Sequence, residues 1–103
     1  MTMADRERDF ENRFIHDQEL KFRIRARRNK LIGLWAAEKL GKTGPDANAY
    51  AQEIVRVDFE KPGDDDVFDH LMADLGEMGI TEKEIRAQME ELLKEAEKQV
   101  MSE

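Results

Sequence analysis

Residues 27–38 read Arg27, Arg28, Asn29, Lys30, Leu31, Ile32, Gly33, Leu34, Trp35, Ala36, Ala37, Glu38, and this stretch decides the fold. A basic block runs without a break into an apolar one. Nothing in it alternates with the two-residue period of a strand. Upstream, the chain has no Pro, and Gly33 is its only Gly before Gly41. The spacing therefore predicts one long helix from about Asp5 to Leu40. In its back half Leu20, Ile24, Leu31, Leu34 and Trp35 fall near one face. In its front half Phe10 and Phe14 stand one turn apart, with Ile15 beside them. Seven charged residues lie between Asp5 and Arg13. A helix of that length spans on the order of 50 Å, more than so small a domain can cover. The front half buries little on its own and is expected to be frayed or disordered in the free protein.

Downstream, Gly and Pro divide the rest into three further helical segments. The breaks fall at Gly41 to Pro45, at Pro62 and Gly63, and at Gly76 to Gly79. Pro45 suits the first turn of a helix, and Ala47, Tyr50, Ala51, Ile54 and Val55 then recur at helical spacing. The acidic run Asp64, Asp65, Asp66 favours the positive end of a helix whose stripe is Val67, Phe68, Leu71, Met72 and Leu75. Thr81 and Glu84 have capping-box spacing, and Ile80 with Ile85 fits a hydrophobic staple. Ile85, Met89, Leu92, Leu93, Ala96 and Val100 keep the helical period to the end. The expected fold class is all-α, a small four-helix bundle with a long N-terminal helix.

The 103 residues suit one domain with a modest core. Hydrophobic residues are 40% and charged residues another 40%, the balance of a small helical protein with a highly charged surface. No apolar run reaches the roughly 18 residues needed to span a membrane, and no secretory h-region is present. Cysteine is absent, so disulfides and thiol nucleophiles are excluded. The net charge of -7 hides an asymmetry. Residues 1–42 carry 11 basic and 7 acidic groups, while residues 43–103 carry 6 basic and 17 acidic ones. The two halves of the chain attract each other. The overall acidity argues against general nucleic-acid binding.

Several motifs invite a sharper reading. Gly41, Lys42, Thr43 resembles the tail of a phosphate-binding loop, but the earlier Gly that such a loop requires is Ala36 here. It also closes a helix where a phosphate loop opens one, so a glycine-capped helix end is the simpler reading. A weak nucleotide contact elsewhere on the bundle stays open. His16 and Glu19 share a helix face but are too few ligands for a metal. Asp66, Asp69 and His70 are better spaced, yet an acidic first turn needs no metal to explain it. No metal or cofactor is expected. Lys21, Arg23, Arg25, Arg27, Arg28 and Lys30 read as a solvated face partly neutralised by the acidic second half, with a surface for an acidic protein partner as the alternative. Trp35 reads as a core residue among Leu31, Leu34 and Leu40, and the methionines as core filler. The sequence suggests no nucleophile and base pair, so no enzyme is expected.

The chain also resembles a known family. Phe14, His16, Asp17, Glu19, Phe22, the block from Ala26 to Gly33, Leu34, Trp35, Ala36, Ala37, Glu38, Leu40, and the turn Gly41, Lys42, Thr43, Gly44 are similar to the inhibitor subunit zeta of the alphaproteobacterial F-type ATP synthase. The resemblance continues more loosely to the C-terminus. It implies a cytoplasmic regulator, associated with the ATP synthase at the inner face of the cell membrane but not inserted in it. Its partner would be the catalytic head: alpha, beta and central-stalk subunits. Residues 1–19 would be an inhibitory arm and residues 20–103 the bundle domain. The arm would insert as a helix at a catalytic alpha/beta interface and block the rotor. Arg6, Arg8, Phe10, Arg13, Phe14 and Asp17 would be its partner-binding residues. His16, near the hinge, makes a pH effect conceivable, though a half-exposed helical His without that duty is simpler. The runner-up is a helical adaptor or nucleotide-binding protein that leaves the ATPase alone.

Overall fold

The computed structural model describes the backbone of residues 3–60 and 63–102, and the side chains of residues 18–60 and 63–102. The chain is all-α. Its elements are α1 (Met3–Lys39), α2 (Gly44–Glu60), α3 (Asp64–Leu75) and α4 (Glu82–Met101), with a 3-10 turn at Gly76–Met78 between the last two. Helix α1 is the spine. It packs against both α2 and α4, and α3 closes the bundle between them.

Glycine and one threonine set the element ends. Gly41 has φ +76°, the left-handed conformation that a helix-ending residue adopts at low cost only when it is Gly. Its N–H donates to the Glu38 carbonyl (3.1 Å) and the Lys42 N–H to the Ala37 carbonyl (2.8 Å), which satisfies the last carbonyls of α1. The Gly41, Lys42, Thr43 sequence is thus the end of a helix. Gly79 (φ +85°) closes the 3-10 turn in the same way. Thr81 Oγ1 accepts from the Glu84 N–H (3.2 Å), as the capping-box spacing predicts. Ile85 is fully buried, and Ile80 packs against the core beside it.

The core comprises Ile32, Ala36 and Ala37 from α1, Tyr50 and Ile54 from α2, Val67, Phe68, Leu71 and Leu75 from α3, and Ile85 and Met89 from α4. Each large apolar side chain buried this way contributes about 1.5–3 kcal/mol. The stripes read from α2, α3 and α4 supply most of this core; Ala51, Ala96 and Val100 are buried beside it, while Val55 and Leu93 are only half-buried. The stripe read from α1 is displaced. Its buried face is centred on Ile32, Gly33, Ala36 and Ala37, while Leu31, Leu34 and Trp35 are half-buried at its flanks. The reason is close helix packing. A Cβ added to Gly33 would stand 2.6 Å from Ala51 Cα, so the small face of α1 lies against the backbone of α2. Large side chains are excluded from the crossing and cover its edges. Two methionines also depart from expectation: Met89 is buried, but Met78 and Met101 are exposed.

On the α2–α3 face, Tyr50 Oη donates to Asp74 Oδ2 at 2.7 Å. His70 Nε2 lies 3.4 Å from the same oxygen. Burial, then this hydrogen bond, pushes the Tyr50 hydroxyl pKa well above its ordinary value.

Candidate functional site

Of the residues the sequence singled out for partner binding, Arg6, Arg8, Phe10, Arg13, Phe14 and Asp17 all lie outside the described side chains, as does His16. What the structure describes is the part of the bundle that adjoins them. Along α1, Gln18 and Glu19 are exposed, Ile24 to Arg27 are half-buried, and Arg28 and Asn29 are buried. Here α1 meets the C-terminal end of α2 and the start of α3.

A network of charged and polar side chains fills that junction. Asp58 falls one turn after Ile54 on the buried stripe of α2 and is itself only 7% exposed. Arg25 grips it with two bonds, Nε to Oδ2 at 2.6 Å and Nη2 to Oδ1 at 2.9 Å. Asn29 Nδ2 donates to Oδ2 at 2.9 Å. The Gly63 N–H donates to Oδ1 at 3.2 Å, from beyond the α2–α3 turn. Arg28 donates to Asn29 Oδ1 through Nε (2.9 Å) and to Asp64 Oδ1 through Nη2 (2.8 Å). Arg25 Nη2 lies 3.4 Å from that same Asp64 oxygen. Among the described residues no buried side-chain polar atom lacks a partner.

The charges tune one another. Burial alone would raise the Asp58 carboxyl, but the bonds from Arg25, Gly63 and Asn29 together hold it below its ordinary range. The bond from Arg28 holds Asp64 low, against a smaller opposing effect of burial. The Asp58 bond, opposed by desolvation, keeps Arg25 more firmly protonated. The reading of the basic run as a solvated face is therefore corrected at Arg25 and Arg28. Their spacing spreads them round the helix, and that turns these two toward the acidic half of the chain. Arg27 faces α4, where its Nη1 donates to Gln99 Oε1 at 3.0 Å.

Above the network is a groove of about 240 Å³ between α1 and α2. Ala26 and Val55 line it, and Phe22 and Phe59 are exposed at its rim. No group of three or more His, Cys, Asp or Glu side chains among the described residues is placed to hold a metal ion. Asp66 and Asp69 are not joined to His70 by any described contact, and His70 pairs with Asp74 instead.

The sequence reading missed Asp58 and Phe59. Both had a signal: a carboxylate at a stripe position one turn beyond Ile54 requires a cation packed against it, and Phe59 beside it cannot also face the core.

The sequence model of the family described as ATPase inhibitor subunit zeta matches residues 1–99. The chain belongs to the ATPase inhibitor subunit zeta family. A solved solution NMR structure is similar to it at 48% identity and a TM-score of 0.73, covering 81% of this chain and 96% of that one. No curated protein matches. Membership in the zeta family supports ATPase inhibition as the general function, exercised through contact with the F-type ATP synthase. Among the described residues no helix is long and apolar enough to cross a membrane.

Proposed function

We propose that this zeta-family chain inhibits ATP hydrolysis by the F-type ATP synthase, by inserting its N-terminal helix at a catalytic alpha/beta interface and blocking rotation of the central stalk. The family match carries the reading, because it takes in the N-terminal residues as well as the bundle. In this reading residues 1–19 are the arm and residues 20–103 the bundle. The protein acts at the cytoplasmic face of the membrane that holds the ATP synthase.

The structure supports the mechanical side of the reading. An arm that stops a rotor must be anchored to something that does not yield. The Arg25–Asp58 and Arg28–Asp64 pairs fasten α1 to the α2–α3 junction within a few turns of the arm. Phe10 and Phe14 supply apolar anchors, one turn apart on the arm. Arg6, Arg8 and Arg13 meet acidic groups on the head, and Asp5, Glu7 and Glu11 meet basic ones. An arm ordered on binding loses entropy, which limits its affinity. A bundle held against the head offsets that loss by raising the arm's effective concentration.

The test is a titration of the purified ATPase head with the full chain, a version lacking residues 1–19, and Phe14→Ala. The full chain should inhibit hydrolysis and the truncated one should not. Phe14→Ala should raise the half-inhibitory concentration about tenfold or more, and further than any single exposed charge change. An unchanged value for Phe14→Ala would remove Phe14 from the interface. No inhibition by the full chain would overturn the reading.

A further inference from the structure

The groove above the Arg25–Asp58 network has no role in the arm mechanism, yet its composition specifies an occupant. Phe22 is 61% and Phe59 71% exposed, on facing helices. The polar groups at its floor, Arg25, Asn29 and Asp58, are bonded to one another. They hold no buried atom in need of a partner. Their bonding capacity is largely committed to one another, which leaves little to hold a polar small molecule. At about 240 Å³ the groove is also smaller than the ~300–1,000 Å³ of ordinary ligand pockets. It fits an apolar side chain presented by a protein.

The charge beside it fixes the neighbours of that side chain. On the other flank of Phe22 a second hollow is bounded by Arg23, Arg27, Lys30 and Val100. All its charged lining is positive, in a chain of net charge -7. Arg23 and Lys30 are exposed, while Arg27 is held by Gln99. A cationic border on an apolar groove favours a segment in which carboxylates flank a bulky apolar residue. The position fixes which partner is near. At 1.5 Å per residue, Phe22 lies about 5 Å along α1 from Glu19, where the proposed arm ends.

We propose that the Phe22–Phe59 groove is a second contact with the ATPase head, seating a large apolar side chain of the head that is flanked by carboxylates. This rests on the reading that the arm engages the head. Phe59 belongs to α2 and not to the arm, so it isolates the groove from the arm's own contacts. Its exposure means that removing it leaves the fold intact, which an unchanged thermal melt by circular dichroism confirms.

The experiment measures direct association of the full chain with the purified head, alongside inhibition of hydrolysis, for the wild type, Phe59→Ala and Lys30→Glu. The expected result is a rise in Kd of roughly tenfold for Phe59→Ala, the range of an apolar anchor, and of a few-fold for Lys30→Glu. Wild-type inhibition with both variants binding as the wild type would overturn the groove contact and leave the arm reading standing. Weakening by Phe59→Ala without any effect of Lys30→Glu would overturn the acidic occupant. A wild type that neither binds nor inhibits would overturn both.

Discussion

Replacing Asp58 with Asn removes one negative charge from the junction while keeping the side chain's size. Asp58 accepts four hydrogen bonds: two from Arg25, one from Asn29 and one from the Gly63 N–H. An amide at this position keeps one acceptor oxygen and turns an NH2 group toward donors. About half the accepted bonds are lost. Hydrogen bonds to charged groups contribute about 1.5–3 kcal/mol each. Arg25 is 39% exposed and can regain water, so its share is discounted. Asn29 is 1% exposed and cannot. The expected loss is about 2–3 kcal/mol at neutral pH. In a domain of this size that is a fall of roughly 10–20 °C in Tm.

The pH dependence makes the prediction sharper. The folded protein holds Asp58 and Asp64 below their ordinary value of 3.8. A carboxylate depressed in this way stabilises the fold fully above its unfolded-state pKa. That contribution is lost as pH falls through the lower folded-state value. Urea unfolding of the wild type and Asp58→Asn at a series of pH values should therefore show a constant gap from pH 7 down to about 4. Below that the gap should shrink, because the protonated wild type comes to resemble the variant. A gap under ~0.5 kcal/mol at pH 7, or one that does not shrink in acid, would refute the assignment of Asp58 as the network's centre.

Two further outcomes follow from local geometry. Gly33→Ala gains up to about 1 kcal/mol of helix propensity. It also places a Cβ 2.6 Å from Ala51 Cα, a backbone atom that can move only with its helix. The net effect in thermal denaturation should be a loss of about 1–2 kcal/mol, and a stabilised variant would show that the helices separate freely there. Tyr50 is the only tyrosine, so phenolate absorbance near 295 nm reads it alone. Burial and Asp74 raise its pKa above 10.0, so its stabilising effect is complete below pH 10 and fades as pH rises further. Ionisation should coincide with alkaline unfolding seen by circular dichroism, and a phenolate appearing in the folded protein would contradict the Asp74 bond.

How much of this was legible depended on which force set each feature. The helix ends were readable because single residues decide them: Gly41 has to adopt positive φ, and Thr81 has to reach the Glu84 N–H. The stripes of α2, α3 and α4 were readable because each presents one face to one core. The stripe of α1 was not, because it lies between two helices. Periodicity picks out its large residues, whereas the α1–α2 crossing selects small ones, Gly33, Ala36 and Ala37. Hydropathy also gives no hint that Arg28 and Asn29 are buried. Their burial depends on Asp58 and Asp64, some 30 residues later in the chain.

The charge asymmetry of the two halves supplied part of what hydropathy lacked. A basic first helix and an acidic remainder must attract, and the structure shows where the attraction is realised. It is concentrated in two part-buried ion pairs at one end of the bundle, the buried Asp58 with the half-buried Arg25 and the buried Arg28 with the exposed Asp64. Ion pairs spread over the surface would each contribute little and yield easily. Here each pair has one buried partner, Asp58 or Arg28, which would be left as an unpaired buried charge if the contact broke. Among the cations outside that network, Arg23 and Lys30 stay exposed beside Phe22. One basic helix thereby serves two ends: its inward cations hold the helix on its own bundle, and its outward cations give the adjoining face a charge opposite to the rest of the molecule.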